Sequence, residues 1–167
     1  NDVDASQHAI SQLAERGRKR IAMINHDLSY KYARLRERGY KSVIHLRDLD
    51  YQAVEYARDR SASAGMAATQ NLLKDHPPDA GCAGPDTLAA GALRAIQQAG
   101  LRVPEDIAVV GFDGTELAEM ISLTTIEQPS RDIGRKAVDL LLNKIDNPDA
   151  PTERIMLDWR FISRAST

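Results

Sequence analysis

At 167 residues the chain can form one ordinary domain or two small lobes, and its 43% hydrophobic content is enough for a core. A formal net charge of -2 argues against these residues alone binding DNA strongly, and no apolar run is long enough to cross a membrane. Cys82 is the single cysteine, which excludes an intrachain disulfide; with a polar start that carries no signal-peptide pattern, the expected location is the cytoplasm.

Val3, Ala9, Ile10, Leu13 and Ala14 have helical spacing up to a stop at Arg16-Gly17. Ile21 to Ile24 reads as a short strand, and the polar 25–29 stretch as a crossover. Tyr32, Leu35, Tyr40, Val43 and Ile44 predict a second helix, with Gly39 as a tolerated interruption. A strand over 53–57 and a helix from about Ser61 to Lys74 follow, the helix stopped by His76-Pro77-Pro78. Ala80 to Ala83 is the next strand, where Cys82 reads as a small buried hydrophobe rather than a reactive thiol. Leu88, Ala89, Ala92, Leu93 and Ile96 pattern a helix closed by Gly100.

Pro104 sets a turn into Ile107-Ala108-Val109-Val110, which runs without alternation, as a parallel strand covered on both faces does. A short helix over 116–121 and an extended 123–126 come next. The last long helix is marked by Ile133, Ala137, Leu140, Leu141 and Ile145, with late strands at 155–157 and 160–162. Strand and helix alternate throughout, which predicts a parallel α/β sheet. No internal repeat, heptad run or low-complexity segment is present.

The strand at 107–110 ends in Gly111-Phe112-Asp113, leaving a carboxylate at its C-terminal edge, where open parallel sheets bind small ligands. The structural alternative for Asp113 is to cap the following short helix through backbone amides of Thr115 or Glu116. Nothing supports catalysis: the sequence has no Gly-x-Gly-x-x-Gly or Walker loop and no Gly-x-Ser-x-Gly elbow. The four histidines are scattered, so no metal site and no cofactor is predicted.

Val103-Pro104-Glu105-Asp106-Ile107, Val109-Val110-Gly111-Phe112-Asp113, Leu123-Thr124-Thr125-Ile126 and Gln128-Pro129, in this order and spacing, resemble the effector-binding core of bacterial repressors of the lactose- and galactose-repressor (LacI/GalR) family. The resemblance runs from about Asn1 to the end. It implies a periplasmic-binding-protein-like fold: two lobes of doubly wound parallel sheet, the N-side lobe incomplete. The expected division is 1–25 with 127–160 as a partial N-side lobe, 26–126 as the C-side effector lobe, and 161–167 as a C-terminal strand or tail. The DNA-binding helix-turn-helix of the family is absent. A periplasmic solute-binding protein of the same fold is the alternative, and an α/β enzyme a third class that lacks a phosphate-binding loop.

The resemblance also assigns residues. Asp113 would accept hydrogen bonds from effector hydroxyls or amines, and Arg36, in Arg36-Glu37-Arg38-Gly39-Tyr40, would grip effector oxygens. On sequence alone, a helical arginine is a solvated surface charge. Tyr32 and His26 fall beside the cleft, His26 with the alternative of an exposed crossover residue. Gln128, Ser130 and Ile133 fall where the chain crosses back, Ser130 with the alternative of a helix cap. Two positions depart from the family. Pro85 stands where relatives carry a ligand-holding Asn, leaving Asp86 as an N-cap; Arg60 stands where relatives present a stacking aromatic. The resemblance implies a sugar or another small polar metabolite as the effector, while the departures point to an anionic or carboxylate-bearing one. The resemblance further implies a homodimer through Ala90, Leu117, Met120 and Ile121, although core packing would give the same periodicity. Operator DNA would be bound only through the absent headpiece, and a hinge between lobes would couple the two ligands.

Overall fold

The structure is a computed structural model that describes all residues 1–167. Its elements in chain order are α1 (Asp2–Glu15), β1 (Ile21–Asn25), α2 (Lys31–Leu46), β2 (Ala53–Tyr56), α3 (Ala62–Leu72) and β3 (Ala80–Ala83). Then follow α4 (Asp86–Gln98), β4 (Ala108–Asp113), α5 (Glu116–Met120), β5 (Thr124–Glu127), α6 (Ser130–Asp146) and β6 (Arg160–Ile162). The strands form one six-stranded sheet in the order β2-β1-β3-β4-β5-β6, with only β6 antiparallel to its neighbour.

Helices cover both faces of this sheet, which is why β1 and β4 are apolar without alternation. Met23, Cys82, Val110, Phe112 and Ile126 point to one side, into a core shared with Ile10 and Leu13 of α1 and Tyr40, Val43 and Ile44 of α2. Ile24, Ala83, Val109 and Leu123 point to the other, against Ala64 and Ala68 of α3 and Leu88, Ala92 and Ile96 of α4. Cys82 is buried as expected, and burial pushes its thiol up to about 12. Gly39 is more than a tolerated interruption: a Cβ there would lie 2.6 Å from the Val3 carbonyl, so its absence lets α2 lie directly on α1.

The expected lobe boundary at residue 25 is corrected. β1 lies inside the sheet, with Met23 opposite Val54 on one side and Cys82 on the other. Residues 1–25 therefore fold with residues 26–126: an apolar strand needs both edges paired and both faces covered. Beyond β5 the chain leaves this lobe. No residue of α6 is buried, and Val138, Leu141, Leu142 and Ile145 stand in solvent. The strand expected at 155–157 does not form either, since no strand lies beside it to complete its hydrogen bonds, and Ile155 and Met156 are exposed. The chain then returns. β6 pairs with β5, and Ser166 bonds Val109 through both its backbone carbonyl (2.8 Å) and its hydroxyl (2.6 Å). No helix is long and apolar enough to cross a membrane.

Candidate functional site

The C-terminal ends of β4 and β5 open on a polar cleft of about 1290 Å³, whose walls include Asp113, Arg36, Arg60, Tyr32, Gln128 and Ser130. Asp113 is its centre. Oδ1 accepts from Arg36 Nη2 at 3.2 Å and from Gln128 Nε2 at 2.7 Å, while Oδ2 lies 3.6 Å from Arg60 Nη2. Its backbone is left-handed, with φ of 110°, an uncommon state for a residue with a Cβ. The capping alternative does not occur: the Thr115 amide goes to Asp86, not Asp113.

Arg36 is not a solvated surface charge. Only 5% exposed, its guanidinium lies 3.5 Å from the centre of the Phe112 ring and 5.0 Å from that of Tyr32. Its Nε donates to Asp2 Oδ1 at 3.0 Å. The aromatic rings shield the guanidinium from water while leaving it favourable π faces, and its two acid partners keep a part of their side chains in solvent. Gly84 makes room: a Cβ there would sit 3.0 Å from both Arg36 Nη1 and the Phe112 Cβ. Gly111, one residue before Phe112, serves a different group, because a Cβ there would lie 2.4 Å from Asp86 Oδ1. The Gly111-Phe112-Asp113 run thus provides room for a carboxylate, a platform for Arg36 and the acid that pairs with it.

Arg60 lines the cleft, and its backbone is anchored. Its carbonyl accepts from the Thr87 hydroxyl at 2.5 Å, and the neighbouring Ser61 amide donates to Asp59 Oδ1 at 2.8 Å. Ser130 lines the cleft as the first residue of α6 and makes no capping bond, the cap position being Pro129.

Three expected site residues fall elsewhere. His26 is buried rather than exposed and stands behind the cleft wall, where its Nε2 shares a hydrogen bond with the Tyr32 hydroxyl. Burial, and then the nearby Arg60 and Arg36, hold its pKa below the ordinary histidine value. Pro85 is buried at the start of α4 and does not line the cleft. Ile133 turns into a separate apolar cavity of about 330 Å³, with Phe112, Leu140 and Trp159. On the candidate dimer face Met120 is 77% exposed, whereas Ala90, Leu117 and Ile121 are half-buried.

Sequence reasoning missed two groups. Asp2, which anchors Arg36, carries no local signal; it arrives because α1 packs on α2. Asp86, expected as an N-cap, is instead the first residue of α4 and fully buried. Its Oδ2 accepts from the Thr115 amide (2.7 Å) and hydroxyl (2.9 Å), and its Oδ1 from the Thr125 hydroxyl (2.6 Å). Burial pushes its pKa up, against the pull of these donors.

The electrostatics of the cleft are mixed. Arg36, Arg60, Arg131 and Arg160 are opposed by Asp2, Asp113, Glu127, Asp132 and Asp158, so the walls carry no excess of positive charge. No three His, Cys, Asp or Glu side chains converge in a way that could hold a metal ion. Chemically the arrangement offers hydrogen-bond donors and acceptors to a polar solute at a sheet's C-terminal edge.

A model of the periplasmic binding protein-like domain matches residues 10–167. The chain belongs to that family. It is 37% identical, over 99% of its length, to the ribose operon repressor of Escherichia coli, and covers 52% of that protein. A LacI-family transcriptional regulator of Enterococcus faecium, solved with bound ribose, superposes with a TM-score of 0.93 at 29% identity, over all of this chain and 63% of that one. A dimeric Lac repressor with a C-terminal deletion superposes with a TM-score of 0.91 at 33% identity, over all of this chain and 62% of that one. The resemblance to LacI-family repressors read from the sequence holds. The chain spans about half the length of the curated relatives it matches.

Proposed function

We propose that this periplasmic binding protein-like domain is the effector-binding part of a ligand-responsive transcriptional repressor, and that its effector is a sugar or similar neutral polyol. The observation that supports this best is the Asp113–Arg36 pair on the cleft wall. Arg36 Nη1 has no protein acceptor, and Asp113 Oδ2 has only the long contact to Arg60, so a bound hydroxyl can donate to one and accept from the other. The balance of charge across the cleft weighs against the anionic effector that the Arg60 and Pro85 departures suggested, and the ribose held by the Enterococcus faecium regulator weighs the same way.

In this reading α6 and residues 147–159 belong to a second lobe that faces the cleft. An effector that binds one lobe orientation more tightly shifts the population of that orientation, and with it operator binding by a separate headpiece. The intact protein is a cytoplasmic homodimer and not an enzyme, as the repressor relatives and the dimeric Lac repressor suggest. The exposed apolar Met120 fits the centre of such an interface.

Calorimetric titration of the intact protein with D-ribose, other neutral sugars and their acidic derivatives tests the proposal. Saturable binding of a neutral sugar is expected. Asp113→Asn should weaken it about tenfold to a hundredfold, the scale of one charged hydrogen bond in a desolvated site. Binding confined to acidic derivatives, or indifferent to Asp113→Asn, would refute it.

A further inference from the structure

We propose that Asp86 is a positioning residue: its buried carboxylate clamps the turn after β4 and so keeps Asp113 aimed at Arg36. The consequence for ligand binding rests on the reading of the polar cleft as the effector site.

Three observations converge. First, Asp86 is a carboxylate at 0% exposure with no cationic partner. An ionised carboxylate away from water is costly unless its lone pairs are filled. They are filled by Thr115 and Thr125, 29 and 39 residues away, and not by amides of its own helix. Helix capping therefore does not explain the group. Its place in the first turn of α4 lets the helix dipole favour the charge.

Second, those donors surround the residue that matters in the cleft. Asp113 and Gly114 have successive positive φ values of 110° and 69°. Gly114 adopts this region freely. Asp113 does so under strain, which persists only where neighbouring structure holds it. The next amide, Thr115 N, donates directly to Asp86 Oδ2. The Gly114 amide donates to Thr125 Oγ1 at 3.3 Å, and that hydroxyl donates in turn to Asp86 Oδ1. Both amides after Asp113 thus end, directly or through one hydroxyl, on the same carboxylate.

Third, Asp86 also touches the strand before Asp113, because the missing side chain at Gly111 makes room for Oδ1. It does not line the cleft itself. Any effect on a ligand must therefore pass through the 113–115 turn that it holds, in which Asp113 carries the charge that pairs with Arg36. An ionised carboxylate only accepts hydrogen bonds. Asp86→Asn keeps the shape but removes the charge and one acceptor oxygen, so it weakens the bonds of the clamp to neutral strength without leaving a large cavity.

The test uses the intact protein and two kinds of readout. Without any sugar, NMR follows exchange of the Thr115 amide and the Arg36 Nε–H resonance. D-ribose titration then follows affinity in wild type, Asp86→Asn, Asp113→Asn and the double variant. The clamp predicts that Asp86→Asn speeds Thr115 exchange at least about tenfold and shifts the Arg36 signal. It also predicts about a tenfold loss of ribose affinity that disappears in the Asp113→Asn background, since the two residues act in series. Unchanged Thr115 exchange and Arg36 resonance would overturn the proposal whatever the sugar does. An affinity loss equal in both backgrounds would overturn it as well. If the wild type binds neither ribose nor any other neutral sugar while the sugar-free signals change, the clamp stands and the effector reading falls. Should Asp86→Asn not fold, Thr125→Val must reproduce the sugar-free changes and Thr125→Ser must restore them; failure of either overturns the clamp.

Discussion

Gly111→Ala isolates the packing on which the cleft depends. Its added methyl would sit 2.4 Å from Asp86 Oδ1 and 2.6 Å from Leu123 Cδ2, and both residues are completely buried. Neither can yield freely. Leu123 is packed in the core on the α3/α4 side, and Asp86 is held by three donors. Overpacking a core costs about 1–3 kcal/mol. Displacing the carboxylate from one donor adds about 1.5–3 kcal/mol, the worth of a hydrogen bond to a charged group. A total near 3–5 kcal/mol lowers the midpoint of a chain this size by about 6–20 °C. Gly81→Ala on the neighbouring strand is the matched control: a Cβ there meets nothing within 4 Å, so its effect should stay within about 0.5 kcal/mol. Thermal and urea unfolding followed by circular dichroism measure both. Equal midpoints for the two variants would refute the account of Gly111.

Arg36→Met leaves the Asp2 and Asp113 carboxylates without their shared cation, so it should destabilise by up to about 3 kcal/mol in urea unfolding, below the usual cost for a fully buried pair because both acids reach solvent. His26 has a lowered folded pKa, so between that value and 6.5 the unfolded chain binds the extra proton. Its contribution to stability is therefore complete above about pH 6.5 and is lost as the pH falls through the folded value; urea midpoints across pH 5 to 8 should show this, and His26→Gln should flatten the slope. In a chain of these 167 residues, α6 amides should exchange near the rate of an unfolded chain while those of β4 are protected, and an apolar dye should bind the exposed Val138, Leu141, Leu142 and Ile145; strong protection of α6 would contradict the burial pattern.

Periodicity made most of the fold legible. The continuous run at 107–110 announced a strand covered on both faces, and the spacing of Leu88, Ala92 and Ile96 announced α4, because both patterns come from local geometry meeting one core. Asp113 and Arg36 were legible through an ordered set of motifs. Asp2 was not, since its role arises from α1 lying on α2, and nothing local to residue 2 records that contact. Asp86 was misread for a related reason: an acid at a helix start ordinarily caps it, but donors on β5 and the β4–α5 turn outcompete the helix amides. The lobe boundary failed because a strand's apolar pattern reports that it is covered, not which strands lie beside it. Residues 21–25 have the same pattern whether they pair with 53–56 or with another sheet.

If the cleft is the effector site, Asp113 is placed to link a bound solute to what lies beyond this lobe. Its side chain accepts from Gln128 Nε2 at 2.7 Å, and its carbonyl accepts from Gln128 N at 3.2 Å. Gln128 is the residue at which the chain leaves β5 for the unburied α6, and with Pro129 it borders both the polar cleft and the apolar cavity under α6. A hydroxyl donating to Asp113 Oδ2 draws on the same carboxylate whose Oδ1 holds that exit, so cleft occupancy and exit geometry depend on one side chain. Arg36 completes the link, because its other partner, Asp2, also borders both cavities. The segment is anchored at one end by groups a ligand would touch, and its helix α6 has no buried residue. Its orientation is therefore the property of this chain most open to change by a small solute.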